Sequence, residues 1–188
     1  MIASLLSYFF ADLEVAKYFH TLKDISIDSF FRNLTVLGQA EYSLIPALLL
    51  YLYYKKRDMK IALKAWFIFV SVATSGIAVL LLKMFFGRFR PELYFEKNLF
   101  GFDFFHIKNS LTSFPSGHST TAMGVVVGLG LLFPKFRIPL FLLGVTIMIS
   151  RVVIVRHYPS DIMIGGLLGA LTSLYLYHAY FKERIENA

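Results

Sequence analysis

Apolar and polar residues along this chain separate into long blocks. Five apolar blocks, near residues 33–54, 61–82, 116–133, 138–155 and 160–181, each approach the ~20 residues that a helix needs to cross a bilayer. The block 61–82 is the cleanest, 33–54 contains Glu41, and 138–155 is interrupted near its end by Arg151. Ahead of them, residues 1–20 mix aliphatic and aromatic side chains with Asp12, Glu14 and Lys17. That pattern predicts an amphipathic helix lying in the membrane interface, because a sixth span would bury those charges. The expected fold is all-α: a polytopic membrane helix bundle of about five transmembrane helices plus an N-terminal amphipathic helix, in a single domain over residues 1–188. Gly124, Gly128, Gly165 and Gly169 recur at helical spacing and predict close helix packing.

Composition agrees with the blocks. Hydrophobic residues make up 57% and charged residues 16%, with a mean hydropathy of +0.63, whereas soluble domains carry about 25% charged residues. The formal net charge of +7 and pI near 9.6 fit cationic cytoplasmic loops, an anionic substrate, or both. Nucleic acid is not an expected partner, since no polar basic face exists outside the apolar blocks. The absence of cysteine excludes disulfides, thiolate zinc sites and thiol catalysis. The N-terminus lacks the basic segment and small-residue cleavage site of a signal peptide.

Cations order the loops. Lys55, Lys56, Arg57, Lys60 and Lys64, then Lys135 and Arg137, then Lys182 and Arg184 fall on one side if five spans alternate, and that side is expected to be cytoplasmic. The other side holds the N-terminal segment, the long loop 84–115 and the turn 156–159. In a bacterium it faces the periplasm from the inner (plasma) membrane.

Six polar residues at span ends share that second face: Lys83, Arg90, His118, Arg151, His157 and Asp161. Each alone reads as an ordinary snorkelling anchor, interfacial histidine or helix cap. Together they gather three fixed cations, which repel one another unless an anion such as phosphate lies between them. Pro115-Ser116-Gly117-His118 opens the third span with free backbone amides, a hydroxyl and a glycine that admits close approach. Asp161 lies four residues after His157, within reach of the imidazole across the start of the fifth span. A carboxylate there fixes the tautomer and stabilises the cationic ring formed when the histidine attacks. His118 is then the expected general acid, and Lys83, Arg90 and Arg151 neutralise the non-bridging oxygens without a metal.

These residues carry a resemblance. Lys83, six residues, then Arg90-Pro91; Pro115-Ser116-Gly117-His118; and Ser150-Arg151, five residues, His157, three residues, Asp161 together resemble the three-block signature of the type 2 phosphatidic acid phosphatase family. The resemblance implies a six-helix core related to vanadium haloperoxidases and soluble acid phosphatases. It implies His157 as nucleophile, Asp161 as its partner, His118 as acid, and a phosphate pocket from Lys83, Arg90, Ser116, Gly117, His118 and Arg151, with no metal or cofactor. The family's first core helix is then expected from residues 1–20.

Membrane members of that family resemble phosphatases of phosphatidic acid, phosphatidylglycerophosphate, undecaprenyl diphosphate or lipid A. The expected substrate is a bacterial envelope lipid, with lipid A 1-phosphate and undecaprenyl diphosphate favoured. Arg88 and Arg156, beside motif residues, are candidates for a second phosphate. The aromatic-rich loop 84–115 is expected to dip into the interface and guide acyl chains. A lipid phosphotransferase sharing the intermediate, a vanadate-dependent haloperoxidase, an inactive lipid-binding protein and an anion or lipid transporter are the competing readings. A transporter needs polar residues at midplane depth, and here the span middles are aliphatic. Oligomeric state is not legible.

Overall fold

The computed structural model describes the backbone of residues 1–22 and 25–188 and the side chains of residues 1–22 and 28–188. Ten α-helices follow in order among the described residues: α1 (Ile2–Phe10), α2 (Asp12–Thr21), α3 (Ile25–Thr35), α4 (Glu41–Tyr54), α5 (Met59–Phe86), α6 (Pro91–Lys97), α7 (Gly117–Leu132), α8 (Arg137–Val153), α9 (Pro159–Leu176) and α10 (Lys182–Glu186). The described residues form no β-strand, only an isolated bridge between Arg88 and Phe102.

Local chemistry sets the ends of the helix that carries Lys83. The Asp58 carboxylate accepts from the Ile61 N–H at 3.0 Å and starts α5. Gly87, at φ 54°, ends it. A Cβ at Gly87 would stand 1.7 Å from the Asp103 carbonyl oxygen, so glycine is required there for space as well as for backbone conformation.

Four helical stretches among the described residues are long and apolar enough to cross a membrane: Asp28–Tyr54, Met59–Phe86, Pro134–Val153 and Pro159–Glu186. They correspond to four of the five expected spans. The remaining one, α7, has 16 residues, or about 24 Å of helix, short of a ~30 Å hydrocarbon core. It packs against α5, α8 and α9 at the centre of the bundle, so protein rather than lipid meets most of its surface. Small residues make this packing possible. A Cβ on Gly169 of α9 would lie 2.0 Å from the Thr120 carbonyl oxygen of α7, and one on Gly165 would lie 2.4 Å from that of Ser116. Leu49, Leu52, Ile77, Leu80, Phe141, Leu142 and Leu171 point outward instead, as side chains facing lipid do. Away from the motif residues, Phe67, Val72, Ala47, Phe181 and Ile185 form a closed apolar core.

The N-terminal segment departs from expectation. It is two helices joined at Ala11, with α1 packed against α9. Ile2, Leu5, Phe9 and Phe10 are exposed, whereas Ser4 and Ser7 are buried. The helix is amphipathic with its polar stripe turned inward. Glu14 and Lys17 pair at the surface at 2.9 Å, as interfacial charges should, but Asp12 is fully buried. Glu41 is exposed in the first turn of α4.

Candidate active site

Helix polarity delivers the motif residues to one end of the bundle. Lys83 lies in the last turn of α5, His118 in the first turn of α7 and Arg151 in the last turn of α8. His157 sits in the turn joining α8 to α9, and Asp161 in the first turn of α9. That turn is tight: the N–H groups of Arg156 and His157 both donate to the Arg151 carbonyl, at 3.0 and 3.1 Å. Val155 is held at φ 55°, an unfavourable conformation for a β-branched residue and one that costs on the order of 1–3 kcal/mol.

A cavity of about 580 Å³ opens at this end, lined by Lys83, Arg90, Gly117, His118, Arg151 and His157, with Arg32, Thr35, Val36, Gln39, Asn109, Ile154 and Arg156 around them. Six of the eight residues expected to bind or transform phosphate therefore face one space. The other two, Ser116 and Asp161, are fully buried behind it. Ser116 caps α7, its hydroxyl accepting from the Ser119 N–H and Oγ at 3.4 and 3.0 Å. In the structure this hydroxyl caps α7 and does not line the cavity.

The cations of the cavity are held rigidly by groups that sequence reasoning missed. Arg90 donates from Nε to the Asn109 carbonyl at 2.7 Å and from Nη2 to Asn109 Oδ1 at 2.8 Å. Lys83 Nζ donates to the Thr112 carbonyl at 3.0 Å, and Arg151 Nη1 to Thr35 Oγ1 at 3.0 Å. Arg151 Nε is buried without a hydrogen-bond partner among the described residues. None of these three cations has a carboxylate partner among the described residues. Such a cluster is arranged for a multiply charged anion. Arg156 also lines the cavity but pairs with Glu92, and Arg32 on the rim pairs with Asp28.

Behind the cavity, Asp161 Oδ2 faces His157 Nδ1 at 3.4 Å and accepts from Ser113 Oγ at 2.6 Å and the Tyr158 N–H at 2.9 Å. Ser113 Oγ is itself 3.4 Å from His157 Nδ1. A carboxylate on this side assigns the ring proton to Nδ1 and turns Nε2 toward the cavity. Burial pushes the His157 imidazole well below its ordinary pKa, against the opposing effect of the hydrogen bond it donates to Asp161. Burial therefore favours the neutral form of this ring.

Arg88 does not take the place expected of a second-phosphate ligand. It is fully buried, with Nη1 on Asp161 Oδ1 and on Ser160 Oγ (2.7 Å), and Nη2 on Asp12 Oδ2 at 2.7 Å. Rings of Tyr8, Phe100, Phe102 and Tyr158 surround its guanidinium at 4.4–5.6 Å. Burial acts to lower its pKa, but Asp161 and Asp12 more than offset this and leave it raised. A cation with two buried carboxylates is not free to bind a substrate anion. Arg156, on the cavity wall, is the one of the pair that a second anionic group can reach.

Ser113 carries a signal in the sequence, standing directly before Phe114 and the Pro-Ser-Gly-His block. Asp12 carries a weaker one, as a charge inside an apolar segment. Asn109 acts partly through its backbone carbonyl, which no sequence pattern reveals.

The chain is similar to known proteins at the level of sequence and of fold. The lipid A 1-phosphatase of Rhizobium johnstonii is 37% identical over 108 residues, covering 57% of this chain and 44% of that protein. The lipid A 1-phosphatase of Rhizobium etli is 36% identical over 108 residues, covering 57% of this chain and 47% of that protein. The matched part thus spans less than half the length of these curated relatives. Among solved structures, Aquifex aeolicus LpxE superposes with a TM-score of 0.67 at 23% identity, over 87% of this chain and 92% of that one. A transmembrane PAP2 type phosphatidylglycerolphosphate phosphatase from Bacillus subtilis does so with a TM-score of 0.66 at 22% identity, over 93% and 86%. At those identities the likeness is one of fold. The profile of the PAP2 superfamily matches residues 64–185, a stretch holding every motif residue that lines the cavity, and with more than half of its length inside that match the chain belongs to the PAP2 superfamily.

Proposed function

We propose that this protein is a membrane lipid phosphatase of a bacterial envelope that removes the 1-phosphate of lipid A, without a metal, through a phosphohistidine at His157. The observation that carries the reading is the cavity itself: a carboxylate-backed histidine favoured in its neutral form, a second histidine and three cations without carboxylate partners among the described residues face one space at the end of a membrane bundle. Lipid A is favoured among envelope lipids because the curated relatives matched across the motif region are named lipid A 1-phosphatases.

The chemistry follows from the placement. Lys83, Arg90, Arg151 and the free amides at the start of α7 hold the non-bridging oxygens. Nε2 of His157 attacks phosphorus, a P–N bond forms, and the bond from phosphorus to the lipid oxygen breaks. His118 protonates that oxygen as it leaves, its own protonation favoured by the bound phosphate. The ring of His157 becomes cationic while it keeps the Nδ1 proton, and Asp161 offsets the charge. In the second half, His118 accepts a proton from water, the water oxygen bonds to phosphorus, and the P–N bond breaks to release inorganic phosphate.

With this reading goes a topology in which the cavity would face the periplasm from the inner membrane. The Lys55–Lys56–Arg57 loop, Lys135 with Arg137, and Lys182 with Arg184 lie at the helix ends opposite the motif residues, as cytoplasmic cations should. The chain has no cysteine, so single substitutions report sidedness. Lys97→Cys is expected to react with an impermeant thiol reagent from the periplasm, and Lys56→Cys only after the membrane is opened.

The deciding experiment measures phosphate release by purified protein in detergent with EDTA. The panel is lipid A, undecaprenyl diphosphate and phosphatidylglycerophosphate, each with wild type and His157→Ala. Turnover of lipid A that survives chelation, yields 1-dephosphorylated product and vanishes in the variant is the expected result. Release that needs a divalent metal, or that persists in His157→Ala, overturns the mechanism, and faster turnover of another lipid reassigns the substrate.

A further inference from the structure

The family match begins at residue 64, yet a residue far outside it reaches the nucleophile's support. Asp12, at the break between α1 and α2, is fully buried. Its Oδ1 accepts from Ser7 Oγ at 2.8 Å and from the Ser160 N–H at 3.0 Å. Its Oδ2 accepts from Arg88 Nη2 at 2.7 Å and from Ser160 Oγ. Arg88 in turn holds Asp161 Oδ1, and Asp161 Oδ2 faces His157 Nδ1.

We propose that Asp12 is a positioning residue for the reaction: by engaging Arg88 from behind, it leaves Asp161 free to balance the charge on His157. The proposal rests on the phosphohistidine reading above.

The argument is one of charge in a dry place. Asp12, Arg88 and Asp161 together carry one net negative charge behind the ring. When His157 attacks and its ring becomes cationic, that charge is what stabilises it. Without Asp12, Arg88 pairs with Asp161 alone, the buried group becomes neutral, and the cationic ring forms with no net negative charge behind it. The same loss frees the Ser160 N–H in the first turn of α9 and loosens α1, whose Ser7 donates to Asp12. Asp12 touches no cavity atom, so binding of phosphate is not its task.

Kinetics of phosphate release separate this from a purely structural role. Asp12→Asn keeps the shape and removes the charge. It is expected to lower kcat about 10- to 100-fold, the range seen when an outer partner of a catalytic ligand is lost, with KM within about twofold. Asp12→Glu, which restores the charge at a displaced position, is expected to recover part of that kcat. Arg88→Met combined with Asp12→Asn removes opposite charges together and again leaves Asp161 as the single negative group. Its kcat should exceed that of Asp12→Asn and of Arg88→Met alone, a coupling that packing damage does not produce. Thermal unfolding in detergent checks the fold of each variant. If Asp12→Asn yields no folded protein, the comparison of the double variant with Arg88→Met decides.

Wild-type kcat in folded Asp12→Asn, or a double variant no better than either single one, overturns the proposal. A wild-type enzyme whose turnover does not depend on His157 removes the proposal together with the mechanism it rests on. Dependence on His157 with Asp12 indifferent removes the proposal alone.

Discussion

The His157 imidazole has two faces, and they are built on opposite principles. On the cavity side stand Lys83, Arg90 and Arg151, cations without carboxylate partners among the described residues, whose donors are only partly used by Thr112, Asn109 and Thr35. On the rear side stand Asp161, Ser113, Arg88, Asp12 and Ser160, nearly dry and joined to one another by hydrogen bonds. The front is left electrostatically incomplete and open to an anion, the phosphate of the reading proposed above. The rear sets one cation between two carboxylates, which orients the ring and keeps a net negative charge behind it. In that reading the front selects the anion and the rear preorganises the attack on it.

The comparison can be broken from either side. The largest effect should come from the rear: Asp161→Asn keeps the shape but loses the charge and the tautomer, and is expected to lower kcat about 10³- to 10⁴-fold, as in other histidine–carboxylate pairs. Phosphate-release kinetics with KM near wild type is the result to look for. On the front, Arg151→Lys keeps the charge but loses the planar fork and its hold on Thr35, and a loss of roughly 10- to 100-fold in kcat/KM is expected. Recovery with a shorter, diffusible phosphate ester would point to lipid packing instead of phosphate recognition. Ser113→Ala removes one donor from Asp161 and leaves its other partners, so a drop of about tenfold in kcat is expected. A Ser113→Ala variant equal to wild type would show that the rear network is redundant.

The smallest expected effect is in pH. His157 is neutral above its lowered pKa and protonated below it. The nucleophile therefore stays competent as pH falls through about 6.5, its ordinary value, and its acid limb in kcat/KM should lie below that. An acid limb near 6.5 that moves with substitutions at Asp161 or Ser113 would mean that burial does not hold the ring neutral.

The front face was largely legible in the chain before its fold was known. Lys83, Arg90, His118, Arg151 and His157 announce themselves because charged and titratable side chains at the ends of apolar blocks are expensive and rare. The rear face was not. Asp161 could be placed by its four-residue spacing from His157, but Ser113, Asp12 and Ser160 act across separations of 44, 76 and 148 residues, for which a single sequence has no ruler. Arg88 shows the hazard of arguing from adjacency. Two residues from Arg90 it looks like a second phosphate ligand, yet the αL turn at Gly87 and the Arg88–Phe102 bridge send it behind the histidine. The length of α7 is a related case. Hydropathy reads lipid solubility, and it does not distinguish a helix that faces lipid from one enclosed by other helices.

By itself the sequence determined that this is a bundle of membrane helices and that its motif cations and histidines stand at the ends of apolar blocks. Those properties follow from solvation costs paid residue by residue, so they are written locally. Only the tertiary structure decided which cations face the cavity, which one is spent on holding a carboxylate, and that the first helix turns its serines and Asp12 inward. Those outcomes depend on pairing among buried groups, and a buried charge is settled by whichever partner the fold brings within hydrogen-bond reach.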